Sequence, residues 1–187
     1  MLSVTIRRPE KKDEIVLHPF FKYVIEDTFQ NEGLTHLKED IRQEIKSKEK
    51  LLKLDLDSLG EDRFFLLAAN PKNHILGTVE FGPCSTLIAE CTNGSYSRLV
   101  EIGTVLVHPD FQNKGIGRLL FNAILLTLQA KEIREFCLDS GYQNAQRIWT
   151  KWLGKPNYLL LDYWGENHPH MIWKRPVNLG ILPYKIN

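Results

Sequence analysis

The chain has 187 residues, 25% of them charged, and a formal net charge of +1. That length suits one domain with a sizeable core, and the near balance of charge excludes a general pull toward nucleic acid or an anionic membrane. No apolar run reaches the roughly 18 residues of a membrane span, and the stretch from Arg7 to Glu14 is charged where a signal peptide needs an apolar segment. Three cysteines, an odd number, make no disulfide framework. The expectation is a cytoplasmic protein, monomer or homodimer, with neither nucleic acid nor membrane as a partner.

Leu2 to Arg7 alternates as a strand does and stops at Pro9. Glu10 to Val16 begins a short helix, and Pro19 predicts a break or a new first turn. Phe20, Val24, Ile25, Thr28 and Phe29 form one helical face, ending near Gly33; Leu34, Leu37, Ile41, Ile45 and Leu52 form a second, closed by Gly60. Arg63 to Ala69 and His74 to Phe81 read as strands, and the turn Asn70-Pro71-Lys72-Asn73 makes them a hairpin. Gly82 to Ser97 reads as a polar connection, extended in part at Thr86 to Ala89.

Val100 to Val107 is rich in β-branched residues, as a strand covered on both faces should be. After His108-Pro109, Ile116, Leu119, Leu120, Ala123, Ile124 and Leu128 keep a helical period that ends near Lys131. Glu135 to Asp139 is a short strand, parallel to the one at 100–108 because a helix joins them. A helix from Gln143 to Leu153 stops before Gly154 and Pro156, and Tyr158 to Tyr163 and Met171 to Lys174 are closing strands. Residues 1–176 form one domain and residues 177–187 a tail.

The turn between Val107 and the following helix carries the chemistry. Glycines let backbone approach a ligand, and the first-turn N–H groups of a helix suit phosphate. A P-loop is excluded because Arg118 follows Gly117 without the required Lys-Ser/Thr. A dinucleotide fingerprint is excluded because Leu120 stands where its last small residue belongs. What remains is Gln112-x-x-Gly115-x-Gly117. It resembles the coenzyme A signature of the GNAT superfamily of N-acetyltransferases, Arg/Gln-x-x-Gly-x-Gly/Ala, and the order of elements resembles that fold over nearly the whole chain.

The resemblance implies an α/β (α+β) fold, with a mixed central sheet of about seven strands, a splayed parallel pair and about four flanking helices. It implies acetyl-CoA as co-substrate and no metal. The pantetheine arm would pair with the backbone of Val105, Leu106 and Val107 as an added strand. The pyrophosphate would lie on the backbone of Gln112, Asn113, Lys114, Gly115, Ile116, Gly117 and Arg118. Asn144 would bond the pantetheine or serve its own helix N-terminus, and Gly103 would mark a bulge.

Glu101 stands among Leu99, Val100 and Ile102, where an ionised carboxylate is costly unless paired, hydrated or functional. In the family that offset from the signature can carry the general base that deprotonates the acceptor amine; a salt-bridged strand residue is the other reading. The family's proton-donating tyrosine is replaced here by Trp149, leaving Tyr142 and Tyr158 as candidates for that acid or as packing partners of Trp152. Phe20, Phe29, Trp164 and His168 are acceptor contacts by the same resemblance, with core packing the other reading for both phenylalanines. His168-Pro169-His170 lacks a third metal ligand at a known spacing, Cys84 and Cys91 read as free thiols, Cys137 reads as a core residue or a contact of the cofactor arm, and Asn93-Gly94-Ser95 reads as a turn. The implied activity is transfer of acetyl from acetyl-CoA to an amine of a small molecule or peptide, by direct attack in a ternary complex. The rival is a non-catalytic acyl-CoA-binding sensor or protein-interaction module.

Overall fold

Val100, Ile102, Val105 and Val107 place their strand, β4 (Val100–Val107), at the middle of a seven-stranded sheet. The computed structural model describes residues 3–177. Before β4 come β1 (Thr5–Arg7), α1 (Glu14–Asn31), α2 (Lys38–Asp57), β2 (Phe64–Ala69), β3 (Ile75–Pro83) and α3 (Thr86–Cys91). After it come α4 (Ile116–Ala130), β5 (Glu135–Ser140), α5 (Gln143–Leu153), β6 (Tyr158–Leu160) and β7 (His170–Pro176). The sheet order is β1-β2-β3-β4-β5-β7-β6, and β4–β5 is its parallel pair. Leu2 of the expected first strand and residues 178–187 of the expected tail lie outside the described residues. Val177 is buried and its N–H donates to Arg134 O at 2.8 Å. No helix among the described residues is long and apolar enough to cross a membrane.

Three local expectations are corrected. Pro19 lies inside α1 and does not break it. The bond it forgoes is to the carbonyl of Ile15, a residue at the surface, while Leu17, Phe20, Phe21, Val24, Ile25 and Phe29 hold the helix to the core. Thr86 to Ala89 is helical, because Ser85 caps it by accepting from Ile88 N–H at 3.3 Å and Ile88 is buried against Tyr96, Cys137 and Ile172. The count of α-helices among the described residues is therefore five. β6 ends at Leu160; Asp162 and Asn167 take left-handed conformations and turn the chain back toward β7.

The two sheet faces are chemically unlike. Val79, Phe81, Ile102, Phe136 and Leu138 pack under α4 and α5 with Leu120, Phe121, Ile124 and Trp149. The alternation of a strand then sends Thr78, Glu80, Glu101, Gly103, Cys137 and Asp139 to the opposite face. Part of that face is covered by α1 and α2 through Leu17, Phe21, Val24 and Leu52.

β4 and β5 pair only at Val100–Phe136 and Glu101–Cys137. From Ile102 onward that edge of β4 has no strand partner among the described residues. On its other edge the β3 register shifts between Thr78 and Glu80, opposite a stretch that runs from Gly103 to Leu106. The bulge is at Thr104, whose φ is 48°, next to the glycine expected to mark it. A β-branched residue in that region is strained by about 1–3 kcal/mol and needs surroundings that hold it. They do: Thr78 Oγ1 donates to Thr104 O at 3.0 Å, and Thr104 Oγ1 donates to Glu80 Oε1 at 3.1 Å. Arg63 Nη1 donates to Glu80 Oε2 at 2.6 Å. Gly103 leaves room for this carboxylate, since a Cβ there would lie 2.5 Å from Glu80 Oε1.

Gly103→Ala is expected to displace Glu80 and lower stability by about 1–3 kcal/mol. Urea unfolding checks it; a stability equal to the parent's would contradict the close fit.

Candidate active site

A cleft of about 570 Å³ opens where β4 and β5 part. One wall is Val105, Leu106, Val107, Gln112, Asn113, Gly115, Gly117 and Arg118. The other is the start of α5, with Tyr142, Asn144, Trp149 and Trp152, while Thr28 of α1, Glu32 just after it and Glu44 of α2 close one side. The signature residues and the strand backbone expected to hold coenzyme A thus line one space.

The turn into α4 is built for close approach. His108 N–H donates to Leu76 O at 2.9 Å, and Pro109–Phe111 make a single 3-10 turn. Gln112 Nε2 donates back to Val107 O at 3.2 Å. Asn113 has φ 58° and Gly115 φ 94°, and Gly115 is the N-cap of α4. The helix's first backbone bond runs from Leu119 N–H to Gly115 O at 3.0 Å, so its opening N–H groups precede the intrahelical ladder. They lie at the positive end of the helix dipole, which suits a diphosphate. Only glycine is comfortable at Gly115. Gly117 differs: a Cβ there would make ordinary contacts at 3.5 Å with Val107 and 3.7 Å with Trp152.

Lys114, Ile116, Tyr158 and Glu101 lie outside the cleft lining. The Lys114 ammonium sits 5.2 Å above the Phe111 ring. Ile116 anchors the first turn of α4 in the core. Tyr158 meets Tyr96 edge-on at 5.4 Å, in an apolar cluster with Ile88 and Ile172. Trp149, expected at the position of the family's tyrosine, packs between Phe121 at 5.3 Å and Trp152 at 5.4 Å. Tyr142 packs edge-on to Phe29 at 5.7 Å. Burial, with the Glu44 carboxylate next, pushes its phenol well above the usual range, so it keeps its proton and offers it as a hydrogen bond.

Glu101 lies at the inner end of the parting, opposite Cys137. Its Oε2 accepts from Ser85 N–H at 2.6 Å. Burial first, then the negative charge of Asp139, raises its pKa from 4.5 to about 7. A carboxyl poised there can both take and release a proton at neutral pH. Glu80, more deeply buried, is raised by desolvation while Arg63 opposes the shift. Glu80 thus has a cation and a hydroxyl for partners, and Glu101 has Ser85 and no cation.

Sequence reasoning did not single out Glu80 or Glu32. Glu80 carried the same signal as Glu101, a carboxylate inside an apolar strand. Glu32 left no signal, for it acts across the fold: its carboxylate accepts from Gln143 N–H and Asn144 N–H, each at 3.0 Å, capping α5 from the end of α1. His168 Nδ1 lies 2.8 Å from Glu166 O, within its own loop.

The family model of the acetyltransferase (GNAT) family matches residues 25–155. The chain belongs to that GNAT acetyltransferase family. Solved structures share the fold. PaiA N-acetyltransferase of Thermoplasma acidophilum, in complex with coenzyme A, is 17% identical with TM-score 0.64, over 93% of this chain and 100% of that one. YncA of Salmonella typhimurium, with its cofactor acetyl-CoA, is 18% identical with TM-score 0.66, over 97% and 98%. Ribosomal-protein-alanine N-acetyltransferase of Brucella melitensis is 17% identical with TM-score 0.64, over 92% and 99%. No curated protein matches by sequence.

Gly115→Ala is expected to weaken coenzyme A binding about 10-fold or more, since it strains the cradle by about 1–2 kcal/mol. Gly117→Ala should change it several-fold less. Calorimetric titration separates the two, and equal losses would contradict the distinction. Glu101→Gln tests the buried carboxyl. Because the folded pKa lies above the unfolded one, the unfolded state releases its proton first, and this group's stability contribution falls as pH rises from 4.5 through about 7. The variant should therefore match the parent at low pH and exceed it by on the order of 2 kcal/mol above neutrality. A pH-independent difference in denaturation midpoint would contradict the shift.

Proposed function

We propose that this protein transfers an acetyl group from acetyl-CoA directly to an amine, both substrates being bound together, with Glu101 as the proton acceptor. The observation that carries this reading is the parting of β4 from β5 with Glu101 at its inner end, its carboxyl raised to about 7. The coenzyme A found with two structural relatives supports the donor. The thioester arm is placed along the unpaired edge of Val105 to Val107, its diphosphate on the turn at Asn113 to Arg118. Asn144, at the start of α5, bonds the arm from the other wall.

The acceptor arrives as an ammonium, R–NH3+. Glu101 takes one proton, directly or through a water. The nitrogen lone pair attacks the thioester carbonyl carbon, and the electrons of its π bond move to oxygen. A backbone N–H of β4 beyond the bulge stabilises this oxyanion. When the carbonyl re-forms, the C–S bond breaks, the thiolate leaves, and the nitrogen gives up its second proton to solvent. The balance is acetyl-CoA plus R–NH3+ giving the amide, coenzyme A thiol and one proton. Trp149 has no proton to offer as an acid. A phenol well above its ordinary value near 10 does not surrender its proton to a thiolate near 8.5, so Tyr142 donates a hydrogen bond and solvent supplies the proton. Tyr158, in its own apolar cluster, takes no part. The acceptor is an amine on a small molecule or a peptide.

Trp149 favours a second reading, a non-catalytic acyl-CoA-binding module. Thiol release from acetyl-CoA across a panel of amines decides between them. The catalytic reading expects release, a fall in kcat of about 100-fold or more in Glu101→Gln with coenzyme A affinity kept, and an acid limb in kcat/KM near pH 7. Tight binding with no release from any amine establishes the module.

A further inference from the structure

The loop between β6 and β7 folds back over the end of β5. The indole of Trp164 lies against Gly141, where an added Cβ would sit 2.6 Å from Nε1. Its Nε1–H donates to His170 Nδ1 at 3.1 Å, and His170 Nε2 stands 3.1 Å from Asp139 Oδ2. An indole nitrogen only donates, so His170 Nδ1 must accept and the ring proton resides on Nε2, donating to Asp139. The Tyr163 ring packs on both, 4.9 Å from Trp164 and 5.3 Å from His170. The His170 side chain is only 4% exposed, so this order is built into the fold. On β5, Asp139 follows Cys137 by two residues and so shares its face, and Cys137 is the strand partner of Glu101.

We propose that Trp164, His170 and Asp139 are positioning residues for Glu101: Trp164 fixes the His170 tautomer, His170 holds Asp139, and the charge of Asp139 acts on Glu101. This rests on the reading of Glu101 as the proton acceptor.

The other groups around Glu101 do not supply that charge as effectively. Glu80 of β3 is engaged by Arg63 of β2 and Thr104 of β4. Lys48 of α2 faces Glu80 and Asp139 but is paired with Glu44 at 3.0 Å. Cys84 and Cys137 are thiols whose own pKa values are pushed up by burial, so they stay uncharged. Ser85 contributes its hydroxyl and a backbone N–H, both of which favour the ionised carboxylate. Of the charged groups, Asp139 acts most strongly on Glu101, after burial itself. Were the indole donor removed, nothing would hold the His170 ring proton on Nε2, and its hydrogen bond to Asp139 would no longer be fixed. A substrate that moves Trp164 would work the same lever.

The test reads Glu101 itself, without turnover. The carboxyl ¹³C signal of Glu101, assigned by its loss in Glu101→Gln, is titrated by NMR, and the ¹⁵N shifts of His170 report its tautomer. In the parent, Glu101 is expected to titrate near pH 7, with the His170 ring proton on Nε2. Asp139→Asn should move that titration down by about one unit, and Trp164→Phe should change it by less while the ring tautomer shifts toward Nδ1–H. An unmoved Glu101 in Asp139→Asn, or a protonated Nδ1 in the unaltered protein, overturns the proposal. The parent spectrum alone decides the second point, whatever the folding of the variants. Failure of the catalytic reading is a separate outcome: Glu101 shifts as expected, yet Glu101→Gln leaves thiol release unchanged.

Discussion

The structure depends on one interruption. Two parallel strands in mid-sheet pair at Val100–Phe136 and Glu101–Cys137 and then diverge. Unpaired backbone in a sheet interior is unfavourable unless something takes the hydrogen bonds. The fold therefore gives β4 a device that turns it: the left-handed Thr104, tied by its carbonyl to Thr78 and by its hydroxyl to Glu80. Arg63 in turn holds Glu80, and Gly103 leaves space for it. A ligand arm with amide groups of its own is what such an edge lacks, and the cradle at Gly115 lies where the far end of that arm would reach.

The same face collects carboxylates. A buried carboxylate with good partners is a structural member, and one with few partners is a reactive one. Glu80 belongs to the first kind through Arg63 and Thr104. Glu101 has Ser85 for a partner and the charge of Asp139 nearby, and its pKa is raised to about 7. Asp139 is held by His170, and His170 by Trp164 of the loop between β6 and β7. Glu32 links a different pair of elements, bringing the end of α1 to the start of α5 across the cleft mouth.

Much of this was legible in the sequence because local signals agreed with the global arrangement. The hairpin of β2 and β3 follows from two apolar runs around Asn70-Pro71. The turn into α4 follows from its glycines and from the change of period from strand to helix. Glu101 was visible because a charge inside an apolar strand demands a reason. Other features were hidden for physical reasons. Pro19 reads as a break, but α1 is held by its buried face and loses one bond at the surface. The helix at Thr86 to Cys91 is short and exists because Ile88 finds a buried seat, which no periodicity announces. The left-handed residue falls on Thr104 and not on its glycine neighbour, since glycine is needed there for space and threonine for its hydroxyl. The contacts of Glu32 and His170 join residues far apart in the chain, and a single sequence carries no trace of them.

The central claim is that the open edge of β4 and the first turn of α4 together receive coenzyme A. Amide hydrogen exchange, followed residue by residue with and without saturating acetyl-CoA, tests it most directly. The account predicts slowed exchange at Val105 to Val107 and at Ile116 to Arg118 in the bound state, with β1 and β2 unchanged. Saturable binding with exchange at those two segments unaltered would contradict it.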